Sequence, residues 1–425
     1  RQRQMCIRDR YYMDRIFTKL HLEKIAKHSL PLMFAAAAAF NCNAAIVDHW
    51  GMNFETNTTR KTATFTGLVN RTRPQWAEAV NIPATFTDNG VTYTVTAIGQ
   101  TALARLETKS VTIPSTVTEI GTSAFYLCTI KEITLPEGLK RIQKQAFMES
   151  NIESISIPSS VIYIGDMAFA NKTLTSVTFA PCESSLSLGE SVFESCHRLQ
   201  EAILPEGLTS IGKKCFKDCG IRKLSIPSTL TSIPTDAFIL CSQLTEVQFT
   251  PGALGLIGNS AFSNTAIENI ELPEGLYSIG FRAFDCAYAL ETVKLPASVN
   301  TISERSFERC DNIREITILN PETPTVNENS FTEATFNNAT LFVPDAAVET
   351  YRNADVWKLF KTIRPLSSSG IHDIISDRPA EDTLPNSSSA ANALPEEIYT
   401  LSGMRINPTA TLLSLIHISE PTRPY

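Results

Sequence analysis

Apolar residues along most of this chain alternate with polar ones in short bursts that recur at a regular distance. Segments such as SVTIP (110–114), EITLP (132–136), SISIP (154–158), KLSIP (223–227) and TVKLP (292–296) place apolar residues at every second position. That alternation turns one face inward and one outward, as a short strand requires. Proline ends each segment because it cannot donate to a continuing ladder. A second short apolar segment follows, as in VTEIG (117–121), LTSIG (208–212) and LYSIG (276–280), and its glycine reads as a tight corner. After two intervening residues comes Ala-Phe or a variant of it, which reads as a single helical or 3₁₀ turn that drops the aromatic into the core.

The aromatic falls at Phe125, Phe147, Phe169, Phe193, Phe216, Phe238, Phe262, Phe284, Phe307 and Phe331, with Leu103 in the same slot one unit earlier. Pro114, Pro136, Pro158, Pro181, Pro205, Pro227, Pro251, Pro273 and Pro296 keep the same beat of 22 to 24 residues. Two registers with one period define an internal repeat. A single unit has too few inward apolar side chains to offset the entropy of ordering it, so each copy must complete the core of the one before. The prediction is a mainly β solenoid of 10–11 coils, closed by a β cap at the N-terminal end and a small cap at the other. With strands about 4.8 Å apart, the coils would form a rod or shallow arc roughly 50 Å long.

The units IKEITLPEGLKRIQKQAFMES and IRKLSIPSTLTSIPTDAFILC follow the pattern LTSVxIPxxVTxIGxxAFxxC. On these residues the chain resembles the BspA-like leucine-rich repeats, a variant abundant in secreted proteins of gut and oral bacteria and of some parasitic protists. The resemblance covers about residues 91–340 and implies a leucine-rich repeat fold and a role in adhesion. VNIPATFTDNGVTYTVTAIG (80–99) is similar to the family's opening hairpin, with Asn89-Gly90 as its turn.

The flanks divide as follows. Residues 1–12 and 413–425 resemble translated sequencing-adapter read-through and are set aside, which makes Met13 the expected natural start and leaves the natural C-terminus missing. Residues 13–44 read as a signal peptide: Arg15, Lys19, Lys24 and Lys27 precede the apolar run LPLMFAAAAAF, and a cut after Ala44 would place Cys42 and Ala44 at the two pocket positions. An amphipathic N-terminal helix is the alternative, whereas Phe40 and Asn41 speak against lipid attachment at Cys42. Residues 45–90 read as the N-terminal β cap and 91–338 as the repeats. Residues 339–366 read as the C-terminal cap, a strand and then a helix from about Asp345 with Tyr351, Trp357 and Phe360 inward. Residues 367–396, rich in Ser, Pro and Asp, read as a disordered linker. Residues 397–412, with IYTLSGMRI, resemble the start of the sorting or anchoring modules on many Bacteroidetes surface proteins. In the linker, Asp382-Thr383-Leu384 resembles the O-glycosylation sequon of those bacteria and marks Thr383.

Charge and candidate chemistry narrow the function. With 44 acidic against 37 basic residues the chain carries a formal charge of −7, which argues against a nucleic-acid partner. Cys128, Cys196, Cys219, Cys241 and Cys310 all lie three residues after the repeat aromatic, the mark of an inward slot filled by a small apolar thiol. Cys215 and Cys219 are four apart, but no histidine or second cysteine pair completes a metal set. His49, His197 and His372 stand in separate regions, and no Ser or Cys occupies a nucleophile elbow. PGALGLIG (251–258) lacks the Lys-Ser/Thr of a phosphate loop. Glu132, Glu201, Glu246 and Glu315 recur near strand starts, where a solvated edge explains them. No cofactor is expected, and the repeats read as non-catalytic.

What remains is the outward strand position, held by Thr112, Thr134, Ser156, Thr178, Ile203, Ser225, Gln248, Glu271, Lys294 and Thr317. This ladder is a mostly hydroxylated face suited to an extended partner. The expected partners are extracellular host or microbial proteins or glycans, met by a secreted or surface-displayed chain. The alternatives are a structural spacer, or the repeat domain of an enzyme whose catalytic module lies beyond the C-terminus.

Overall fold

The computed structural model describes residues 44–181 and 184–369, with the backbone of Ile398–Tyr399 and Arg405–Ile406, which pair antiparallel. The sequence-based readings for 1–43, for the linker with Thr383 and for the rest of the C-terminal segment lie outside these residues, as do Cys182 and His372. The chain forms two compact units, Arg1–His372 and Asp373–Tyr425. The first is a β solenoid.

It opens with an antiparallel meander of β1 (Ala44–His49), β2 (Met52–Asn57) and β3 (Thr62–Leu68). A short helix α1 (Pro74–Glu78) leads into β4 (Ala79–Asn81), and β5 (Thr85–Asp88) and β6 (Val91–Ile98) form the expected hairpin. Both residues of its turn are left-handed, Asn89 at φ 49° and Gly90 at φ 78°, which matches the right-handed twist of the strands.

Most coils then contribute one strand to each of two stacks of parallel strands. The Ile-Pro segments build the first sheet, beginning with β4 against β7 (Ser110–Thr112). The Ile-Gly segments build the second, which continues the order β1-β2-β3-β6 through Glu119–Ile120, Arg141–Ile142, Tyr163–Ile164, Leu186–Leu188 and Leu208–Ser210. The aromatics stack between the sheets. From Phe125 to Phe331, successive ring centroids are 4.8 to 5.7 Å apart with planes within 18° of parallel. The rings form one column along the solenoid. At its end Phe336 and Phe360 meet Phe331 edge-on, and the inward Tyr351 and Trp357 seal the coil.

Three local features differ from the sequence reading. The Ala-Phe turn is helical only in the last coil, where the 3₁₀ turn Glu328–Ser330 precedes Phe331. Elsewhere it is a run of overlapping turns. Around Phe125, Ala124, Tyr126 and Cys128 donate three residues back, while Ser123, Phe125 and Leu127 donate to Lys144, Ala146 and Met148 of the next coil. Ser123 and Leu127 are left-handed, at φ 53° and 55°, so alternate N–H groups point along the solenoid and not along a helix. The glycine of the Ile-Gly segment is needed for close approach: a Cβ on Gly121 would lie 2.7 Å from the Ile98 carbonyl oxygen, and one on Gly212 would lie 2.3 Å from Gly189. Finally, EITLP does not form a strand. Only Glu132 makes a bridge, to Ser154. Beside it the Thr129 hydroxyl accepts from the Thr108 N–H at 3.1 Å and donates to the Thr108 carbonyl at 3.3 Å.

Candidate strand-face binding site

The outward side of the first sheet carries the predicted ladder. Thr112, Thr134, Ser156, Thr178, Ile203, Gln248 and Glu271 are exposed, and Ser225 and Lys294 are half-buried. The parallel register aligns several of them directly: Ser156 with Thr178, Ser225 with both Ile203 and Gln248, and Lys294 with both Glu271 and Thr317. Thr317 does not belong to the exposed face. It is 3 % exposed, because strand Thr340–Val343 adds to this edge and sets Phe342 beside it while Lys294 flanks it on the other side.

The sequence reading followed one outward position per strand, but the pleat provides two. Ser110, Glu132, Ser154, Ser176, Glu201, Lys223, Glu246 and Asn269 form a second exposed or half-exposed column two residues earlier on the same face. The signal was present in the alternation, since a residue two before an outward residue is also outward. The two columns make the face chemically unequal along its length. Its N-terminal half is nearly all small hydroxyls around the single carboxylate Glu132. Its C-terminal half is charged and internally paired, with Lys223 2.9 Å from Glu246 and Lys294 joined to Glu271. The hydrogen bond between Lys223 and Glu246 raises the pKa of the amine and lowers that of the carboxylate, so both stay charged near neutrality. Of the four recurring glutamates, Glu246 is thus ion-paired, while Glu132 and Glu201 line grooves on the face.

The sheet is not continuous. Among the described residues, ladder pairing is interrupted after β7, between Ser176–Phe179 and Glu201–Ile203, and between Glu246–Phe249 and Asn269–Glu271. Shallow grooves follow from two of these breaks. One of about 770 Å³ is lined by Ser110, Thr112, Glu132, Thr134, Ser156 and Thr178, among others. One of about 650 Å³ lies between Gln248, Phe249, Glu271 and Lys294. A smaller one of about 290 Å³ surrounds Ile203 and Ser225.

The other chemical candidates are structural. All seven described cysteines are free and buried. The thiols of Cys196, Cys219, Cys241 and Cys310 each donate to the phenylalanine carbonyl one coil earlier, at 3.3, 2.9, 3.0 and 3.1 Å. Burial pushes the pKa of Cys215, Cys219 and Cys310 up. His49 lies against Trp50 and Phe86, while His197 bonds Asp218 of the next coil at 2.9 Å. Among the described residues no three His, Cys, Asp or Glu side chains are arranged to hold a metal ion.

The family model for the BspA type leucine-rich repeat region matches residues 85–184, 182–285 and 255–353, in six copies. This chain belongs to the BspA-type leucine-rich repeat family. It is similar in fold to a leucine-rich cell surface protein of Faecalibacterium prausnitzii, at 21 % identity over 77 % of this chain and 96 % of that one, with a TM-score of 0.37. The pneumococcal vaccine antigen PcpA is 20 % identical over 75 % of this chain and 98 % of its own, with a TM-score of 0.41. A leucine-rich repeat protein of Bacteroides ovatus is 23 % identical over 63 % and 93 %, at 0.29. The chain has no match among curated proteins. The repeat architecture makes protein binding the general role of this BspA-type chain.

Proposed function

We propose that this is a non-catalytic repeat protein, secreted or displayed on the cell surface, that adheres to extracellular proteins or glycans through the strand face. The observation that carries the reading is the hydroxyl-lined groove spanning β7 to Ser176–Phe179. Four adjacent coils there present Ser or Thr at every outward position except Glu132, and these short side chains leave the groove open. Hydroxyls serve as donor or acceptor, so such a surface takes peptide amides or sugar hydroxyls through many weak contacts. In this reading 13–44 direct export, 45–90 and 339–366 cap the array of 91–338, 367–396 space it from its attachment, 397–412 begin an anchoring module, and Thr383 carries a glycan. Among the described residues, no helix is long and apolar enough to cross a membrane.

The test is binding of the purified chain to arrayed extracellular-matrix proteins, mucins and glycans, beside Thr134→Arg/Ser156→Arg/Thr178→Arg. Saturable binding that the triple variant loses supports adhesion through this face. Absence of binding by a folded chain refutes it and leaves the spacer.

A further inference from the structure

Solenoid ends must be capped by polar surface, or they pair with another edge. The C-terminal end obeys this rule. Behind the last coil Tyr351 donates its hydroxyl to the Asn320 and Glu322 carbonyls at 2.9 and 3.0 Å, and Trp357 donates its indole N–H to Pro324 at 3.0 Å. The outermost strand there, Thr362–Pro365, ends in Arg364 and Pro365, two residues that discourage further pairing.

The N-terminal end does not. β1 is the terminal strand of its sheet, so among the described residues one row of its N–H and C=O groups faces no neighbour. Its sequence, AAIVDH, has no lysine, proline or bulge to blunt that edge. The two most exposed large apolar residues of the described chain also lie here, Ile46 at 77 % and Trp50 at 67 %. Val69, also exposed, donates its N–H to the carbonyl of Gly51, the residue after Trp50, at 2.9 Å.

We propose that this end is a self-association surface, on which β1 of a second copy pairs antiparallel with β1 across a two-fold axis. A second copy fits for two reasons. An antiparallel edge is its own hydrogen-bonding complement under a two-fold axis, so one strand supplies both halves of the ladder. Its charges also permit the match: with the axis near Val47, Asp48 of each copy faces an apolar residue and no like charges oppose. Five residues a side bury less than a standard interface, so the dimer is weak and depends on concentration. It joins two solenoids end to end, each with its strand face free, and thereby makes the chain bivalent.

Sedimentation velocity on the full chain, from about 1 to 100 µM, tests this. The expected result is a shift from monomer toward twice the monomer mass as concentration rises, abolished by Ile46→Lys and by Trp50→Ser at unchanged melting temperature. Leu359→Lys, an exposed position in the C-terminal cap, leaves it intact. A monomer throughout overturns the proposal, as does a dimer that tolerates both N-terminal substitutions. If Ile46→Lys alone perturbs folding, Trp50→Ser decides, since Trp50 lies outside β1.

Discussion

The rings of Phe147 and Phe169 lie 5.2 Å apart and 3° from parallel, one coil apart in a chain whose two residues are separated by 22 positions. Each ring is fully buried and forms the floor on which the next rests, so stability passes from coil to coil along this column.

Removing one ring breaks that contact on both sides. Phe169→Ala is expected to cost about 3–5 kcal/mol and to split thermal unfolding into two steps, because the halves on either side lose their coupling. Calorimetry reads this directly, and a single unshifted transition would contradict the inward column.

Gly212 tests the coil-to-coil spacing. A methyl group there would sit 2.3 Å from the backbone of Gly189, and backbone cannot rotate away. Gly212→Ala should therefore lose about 1–3 kcal/mol in urea unfolding. Gly138→Ala, where the nearest atom is 3.1 Å away, should lose less.

The buried thiols give the protein an alkaline limit. Burial holds Cys128, Cys215, Cys219 and Cys310 protonated above the ordinary thiol range. The unfolded chain releases these protons near pH 8.5, so stability is full below that value and falls as pH rises through it toward the folded-state pKa. The slope is up to about 1.4 kcal/mol per pH unit for each such thiol. Urea titrations from pH 7 to 10 should show the decline, and Cys215→Ala should flatten it. For the same reason iodoacetamide should modify these cysteines only when the chain unfolds.

The face and the buried edge respond oppositely to charge. Thr134→Arg adds a solvated side chain to an open groove and should leave the melting temperature unchanged. Thr317→Arg pushes a guanidinium between Lys294 and Phe342 and should destabilise by about 1–3 kcal/mol. Equal effects would mean that Thr317 is as open as its neighbours.

Much of this was legible from one chain because the repeat writes its geometry in columns. The Phe and Pro registers gave the coil length, and the alternation gave the outward ladder from Thr112 to Lys294. Features set by contacts far along the chain were not legible. Thr317 looks like its equivalents until Phe342, 25 residues later, covers it. EITLP alternates as well as any segment, yet only Glu132 bridges a neighbouring coil. The left-handed residues at Ser123 and Leu127 carry no sequence mark, because inter-coil hydrogen bonds and not glycine hold them. The second outward column was written in the alternation and needed only the pleat to read it.

The central claim is that the strand face is the working surface. For any protein or glycan the chain binds, titration should be run against two triple variants of matched charge. One carries Thr134→Arg, Ser156→Arg and Thr178→Arg on the first sheet, and the other carries Thr118→Arg, Thr209→Arg and Thr231→Arg at exposed positions of the Ile-Gly segments. The account predicts that the first variant loses binding at least tenfold, about 1.4 kcal/mol, while the second binds as the unmodified chain does. Loss in the second with retention in the first would contradict it.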